Sequence, residues 1–206
     1  MAKANVYIDG FNLYYGAMRG SPYKWLDLAA LCHQMLPNDT IQSITYFTAI
    51  VSARPYDLDL PVRQQMYLRA LRTIPNLKII YGHFLTHSCR MVLTGSKPAK
   101  KVFVDKTEEK GSDVNIAAHL LRDAYNHSFD VGVLITNDSD LVEPVRIVRH
   151  ELNLPIGILN PHDHHSAKLK QEATFMKRIR QSDVSVCQFP DILTDSKGQF
   201  HKPSTW

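Results

Sequence analysis

The chain has 206 residues, 44% of them hydrophobic and 21% charged, with only 9 Gly and 11 Pro. That is enough apolar material for one packed core, and it excludes fibrous and low-complexity chains. A formal net charge of +4 permits an anionic partner such as nucleic acid without demanding one. The three cysteines, Cys32, Cys89 and Cys187, are never spaced as CxxC, which speaks against a zinc finger and fits a reduced, cytoplasmic protein. No apolar run approaches the ~20 residues of a membrane span, and MAKANVYIDG lacks a signal-peptide core.

In chain order, residues 6–8 predict a strand closed by the Asp9-Gly10 turn. Residues 25–36 carry helical periodicity, 41–51 read as a strand, and 60–74 as a helix with an arginine-rich face. A strand follows over 77–84. Residues 86–106 form two β-like runs around Gly95-Ser96-Lys97-Pro98, a hairpin excursion. The spacing then predicts a helix over 112–125, a strand over 131–136, a helix over 141–151, a strand over 154–159, a helix over 167–179 and a strand-like piece over 184–189. Strands alternating with helices imply an α/β domain, a mainly parallel sheet covered on both faces. One domain spans 1–190, and the polar residues of 191–206 read as an extended tail.

Open parallel sheets bind ligands beyond the carboxyl ends of their strands. Asp9 follows the first strand, Asp138 and Asp140 follow VGVLIT, and Asp113 opens the helix of EKGSDVNIA. Each has a local alternative: Asp113 complements a helix dipole, Asp140 with Glu143 reads as a capping box, and Asp9 starts a turn. Together they imply more, because converging carboxylates repel unless a cation neutralises them. All-oxygen ligands suit Mg²⁺ or Mn²⁺ and the chemistry of phosphoryl groups. No GxSxG, GxxxxGK[ST] or GxGxxG is present.

The set VYIDGFNLYYG, EKGSDVNIAAHLLRDAY and LITNDSDLVEPVRIVR, three motifs in order, resembles the NYN domain, a branch of the PIN-like nucleases. The resemblance runs from Val6 to the final helix, and CQFP…FHKPSTW is similar to bacterial members too. It implies a PIN-like Rossmannoid three-layer fold and metal-dependent hydrolysis of RNA by a metal-activated water. The family's metal-binding acids fall on Asp9, Asp113, Asp138 and Asp140. Asn12 would orient water or phosphate, and Thr136 and Ser139 would brace the acidic turn. His119 departs from the pattern, standing where many members carry a further Asp; six residues from Asp113, it lies about 120° around the helix. Asn137 fills a slot often held by a small residue.

For RNA contact the candidates are Lys97, Lys100 and Lys101 on the hairpin, with Lys168, Lys170, Lys177, Arg178 and Arg180 on the last predicted helix. Tyr14, Tyr15 and Tyr23 are candidates for stacking on unpaired bases. Each set has a plainer alternative, a solvated face or core packing. Lys110 and Arg146 read as charge balance for the acids. The PHDHH run of 161–165 matches no zinc spacing and reads as a phosphate-contacting loop or a turn with Asp163 as helix cap. The exposed hairpin or tail leaves a homodimer open. Three other functions compete: a Toprim-like phosphoryl-transfer enzyme, which expects Glu where Asp9 stands; a haloacid-dehalogenase-like phosphatase, which needs DxD after the first strand; and a non-catalytic RNA-binding domain, which has no reason to keep repelling acids.

Overall fold

The computed structural model describes residues 1–206. Its strands are β1 (Ala2–Asp9), β2 (Asp39–Thr48), β3 (Leu77–Tyr81), β4 (His83–Val92), β5 (Lys101–Lys110), β6 (Val131–Ile135), β7 (Ile156–Asn160), β8 (Phe175–Arg178), β9 (Ile192–Asp195) and β10 (Gly198–His201). The main helices are α1 (Gly10–Leu13), α2 (Leu28–Met35), α3 (Leu60–Leu71), α4 (Ser112–Tyr125), α5 (Val142–Arg146), α6 (Ala167–Glu172) and α7 (Gln181–Val186). Six strands form the central sheet in the order β3-β2-β1-β6-β7-β8, and every pairing is parallel.

Strands buried on both faces read as continuous apolar runs, and β6 (VGVLI) and β7 (IGILN) are buried throughout. Their pleat sorts the core into two layers. Val6, Ile8, Val133 and Ile135 join Trp25, Leu28, Leu31 and Leu68 on one face. Tyr7 and Leu134 point the other way, onto Ile116 and Leu120 of α4 and Val145 of α5. The α/β three-layer architecture and the hairpin excursion expected from the sequence are present.

Several elements differ from expectation. Residues 167–179 are not one helix: α6 stops at Glu172, Ala173 is already extended, and β8 pairs with β7 as an edge strand. Phe175 and Met176 favour a pleated, half-buried surface, and Lys177 and Arg178 suit an edge. Of residues 184–189 only 184–186 are helical, as the end of α7, whose start is fixed by the Arg180 N–H donating to Asp183 Oδ2 at 2.8 Å, while Gln188 bridges Leu26. The final residues fold back on the domain as a hairpin. β9 and β10 pair antiparallel, Phe200 is buried, and Trp206 packs edge-on against Trp25 and Tyr67. The expected strand 77–84 breaks at Gly82, where a Cβ would lie 2.6 Å from the Lys110 carbonyl oxygen. Beyond that crossing β4 and β5 pair over ten positions, His83 opposite Lys110 to Val92 opposite Lys101, a longer arm than the spacing implied. Gly111, at φ 98°, takes the left-handed turn that redirects β5 into α4.

Candidate active site at the strand switch point

From β1 the sheet extends through β2 to β3 on one side, and from β6 through β7 to β8 on the other. This reversal opens a crevice at the carboxyl ends of β1 and β6. Ile8 lies opposite Ile135, so Asp9 and Thr136 leave the sheet side by side on the α4 face. Asp9 is only 6% exposed. Its Oδ1 accepts the Asn12 backbone N–H at 2.9 Å, capping α1, and its Oδ2 accepts the Thr136 hydroxyl at 3.4 Å. Burial pushes its carboxyl up to about 6, with Asp113 and Asp138 adding repulsion against the amide's opposing pull.

Asp113 sits in the first turn of α4, and its proton affinity is raised by burial, then by Asp138, Glu109 and Asp140. Asp9, Asp113 and Asp138 are thus within electrostatic reach of one another, and Asp140 of Asp113, while no three acidic, His or Cys side chains close on a point by themselves. Asp138 starts the helical turn after β6: its Oδ1 accepts the Asp140 N–H at 2.9 Å, and its own N–H donates to the Thr136 hydroxyl at 3.1 Å. The capping box expected of Asp140 and Glu143 is absent, since Glu143 is held by Arg146. Arg146 and Lys110 balance other acids, Glu143 and Glu151 for the first and Glu108 for the second. Thr136 braces the turn as expected; Ser139 is exposed and takes no part in these bonds.

The neighbouring loops are sewn together by asparagines. Asn12 Oδ1 accepts the Asn137 backbone N–H at 2.9 Å and bonds His162 Nε2 at 3.1 Å. Asn137 donates to the His164 carbonyl at 3.0 Å and accepts the Ser166 N–H at 2.7 Å. Buried Asn160, at the end of β7, bonds the His162 backbone N–H and the carbonyls of His162 and His164. The PHDHH loop is thus a strap that holds the acidic turn. Its Asp163 pairs with Arg178 and caps no helix; Ser166 caps α6. Asn160 is readable in the sequence as a polar residue ending an apolar strand. Glu109 is not, because only the returning hairpin sets it beside Asp113, where it accepts the Ser112 hydroxyl at 2.8 Å.

The basic candidates scatter. Lys168 and Lys170 are exposed on α6. Lys177 and Arg178 lie on β8, not a helix, and are engaged by the Met35 carbonyl and Asp163, and Arg180 precedes α7 with its side chain exposed. Lys97, Lys100 and Lys101 stand at the far end of the hairpin, nine pairing steps or about 30 Å along the strands from Asp113. His119 rests edge-on against Phe47 at 5.6 Å, away from the acids. Tyr14 and Tyr15 line a cavity of about 510 Å³ beside Gly10 and Phe11; Tyr23 packs on the core.

An all-parallel Rossmannoid sheet with carboxylates at its switch point defines an α/β domain of the PIN-like type. The NYN domain model matches residues 3–179, and the chain belongs to that family, within the PIN-like nuclease superfamily. A Pseudomonas putida protein, 6-hydroxy-3-succinoylpyridine 3-monooxygenase HspA, is 28% identical, the alignment covering 99% of this chain and 75% of the relative. A Vibrio parahaemolyticus protein of unknown function shares the fold at a TM-score of 0.56 and 18% identity, covering 86% of this chain and 93% of its own. No helix is long and apolar enough to cross a membrane.

Proposed function

We propose that this protein hydrolyses RNA phosphodiester bonds in a divalent-metal-dependent reaction at the crevice between β1 and β6. One observation carries the reading. Asp113 and Asp138 raise the proton affinity of Asp9, and Asp138 and Asp140 raise that of Asp113, yet none of the four is paired with Lys or Arg. An all-carboxylate set left without a protein counter-charge fits Mg²⁺ or Mn²⁺, hard cations that keep waters and accept phosphate oxygens. These four residues would hold the ion, which when bound supplies a water acidified for attack and charge neutralisation of the phosphate.

The protein's own groups do the positioning. Thr136 fixes both Asp9 and the backbone of Asp138. Asn12 spends its carbonyl oxygen on Asn137 and His162, which leaves its amide NH₂ free to donate to a phosphate oxygen. The backbone of the acidic turn is held by Thr136, Asn12 and the 161–165 strap, the kind of preorganisation that phosphoryl chemistry rewards.

The test is cleavage of labelled single-stranded RNA with Mg²⁺ or Mn²⁺, with EDTA, and with the Asp138→Asn variant. Cleavage should vanish with EDTA and fall on the order of 100-fold or more in the variant. Equal rates in all three would sink the proposal. A second reading comes from the P. putida relative, because the likeness spans 99% of this chain: oxygenation of a small aromatic acid. Consumption of 6-hydroxy-3-succinoylpyridine with dioxygen and an electron donor, and no cut RNA, would replace the nuclease reading.

A further inference from the structure

Beside Asp9, on the opposite face of β1 from α4, lies the cavity of about 510 Å³, a volume ordinary for sites that hold one organic ligand. Its floor is Gly10, the residue after Asp9, together with Tyr46 of β2. A Cβ on Gly10 would stand 2.6 Å from the Tyr46 ring, so glycine lets that ring close up against the strand end. The cavity thus begins at the residue that directly follows Asp9 in the chain.

Its lining has two properties that core packing does not explain. The first is exposed aromatic surface: Tyr15 is 47% exposed and Tyr56 80%. The second is cationic charge without carboxylate partners. Arg19 lies over the Tyr15 ring at 5.3 Å, Arg54 is bonded to the Tyr56 hydroxyl at 2.9 Å, and neither they nor Lys24 pair with Asp or Glu. Arg63, by contrast, is neutralised by Asp57. The helix entering the cavity also runs as a π-turn from Tyr14 to Met18, a rare geometry that gathers at functional sites.

We infer that this cavity receives one unpaired nucleotide of the substrate, its base stacked on Tyr15 and Tyr56 and its phosphate held by Arg54, Arg19 and Lys24. This deepens the nuclease proposal and rests on it for the source of the nucleotide. Planar rings stack on aromatic side chains with little base preference, and planar guanidinium groups match phosphate oxygens in pairs. The adjacent position of Gly10 and Asp9 sets the neighbouring phosphodiester over the acidic crevice while the base is held on the other side of the strand end. Recognition of this kind selects single strands, because a base in a duplex is not free to enter.

The test is isothermal titration, in EDTA, of nucleoside 5′-monophosphates and of the corresponding nucleosides into the full chain and into Tyr15→Ala, Arg54→Ala and Asp138→Asn. Tyr15 and Arg54 are exposed, so these variants keep the fold. Monophosphates should bind more tightly than nucleosides. Tyr15→Ala and Arg54→Ala should each weaken binding about tenfold, and Asp138→Asn should bind as well as wild type. In RNA cleavage the two cavity variants should raise KM and keep kcat. Unchanged affinity in both cavity variants overturns the inference. So does a cavity that takes 6-hydroxy-3-succinoylpyridine, lost in Tyr15→Ala, but no nucleotide. Nucleotide binding that follows this pattern in a protein that cuts no RNA would uphold the cavity and sink only the nuclease reading.

Discussion

Asp9 and Gly10 are neighbours in the chain, yet they belong to two regions of opposite character. On the α4 face four carboxylates stand without a basic partner; on the α3 face three cations stand without an acidic one. The pleat of β1 makes the division, since it sends Ile8 into one layer and Tyr7 and Asp9 toward the other. A net charge of +4 averages over both and describes neither. What the contrast teaches is that charge here is sorted by face, at a distance of one residue. The acids would take a cation and the cations a polyanion, and a phosphodiester bound with its metal satisfies both.

The comparison breaks first at Asp9. Replacing it by Asn should abolish cleavage and at the same time stabilise the protein. The sign follows from its carboxyl, pushed up to about 6 from 3.8. The folded state holds that proton more tightly than the unfolded one, so the stability it lends is complete below about pH 4 and is lost as pH rises through 6. At neutral pH the ionised group costs about 3 kcal/mol, and Asp9→Asn should recover most of it, because an amide oxygen still accepts the Asn12 N–H. Thermal melts in EDTA should show a higher Tm for the variant at pH 7 and no difference at pH 4. A lower Tm at pH 7 would mean that burial, with Asp113 and Asp138 beside it, does not disfavour the ionised Asp9. No such gain is expected from Arg54→Ala on the opposite face.

Asn137 sharpens the same side of the comparison, because it reports on the strap and not on charge. Asn137→Ala removes the bonds to Ser166 and His164 and leaves the backbone bond to Asn12. Outer groups that orient ligating carboxylates are worth about 10–100-fold, so kcat should fall about tenfold, with metal dependence kept and stability lowered by about 1–2 kcal/mol. A full rate at saturating metal would reduce the strap to a packing feature. Raising Mg²⁺ should recover part of the loss if the acids have merely loosened.

The strands that carry the acids are legible because central parallel strands are unbroken apolar runs, and VYID and VLITND name their own ends. Asp9 and Asp138 can be placed from those ends alone, and Asp113 only as the opening of the helix α4. Glu109 and the cavity cannot, since both depend on chain crossings. Glu109 reaches Asp113 only because β5 returns to Gly82, and the cavity draws on residues from 10 to 206 that share no local pattern. Residues 167–179 mislead for a different reason. Their spacing is helical through Lys170, and what ends the helix is the empty edge of β7, a tertiary partner that periodicity does not see. The asparagine strap lies in plain view as Asn137, Asn160 and PHDHH, but polar residues in turns have too many local uses for spacing to separate one.

The smallest effect is expected from the hairpin lysines, and it separates reach from catalysis. Lys97, Lys100 and Lys101 precede Asp113 by a short stretch of chain, yet antiparallel pairing carries them to the tip of an exposed arm, about 30 Å from the acids. Charges separated by that distance are screened at physiological salt, where the Debye length is about 8 Å. Changing all three to Ala should therefore leave cleavage of a short oligonucleotide unaltered. On a long RNA that can touch arm and crevice together, KM should rise several-fold, and the salt dependence of binding should weaken by about 0.7 in logarithmic slope for each phosphate that the arm no longer neutralises. An equal effect on short and long substrates would place the arm folded over the crevice, with its lysines beside the acids, and would erase the separation of charge by face on which the other predictions depend.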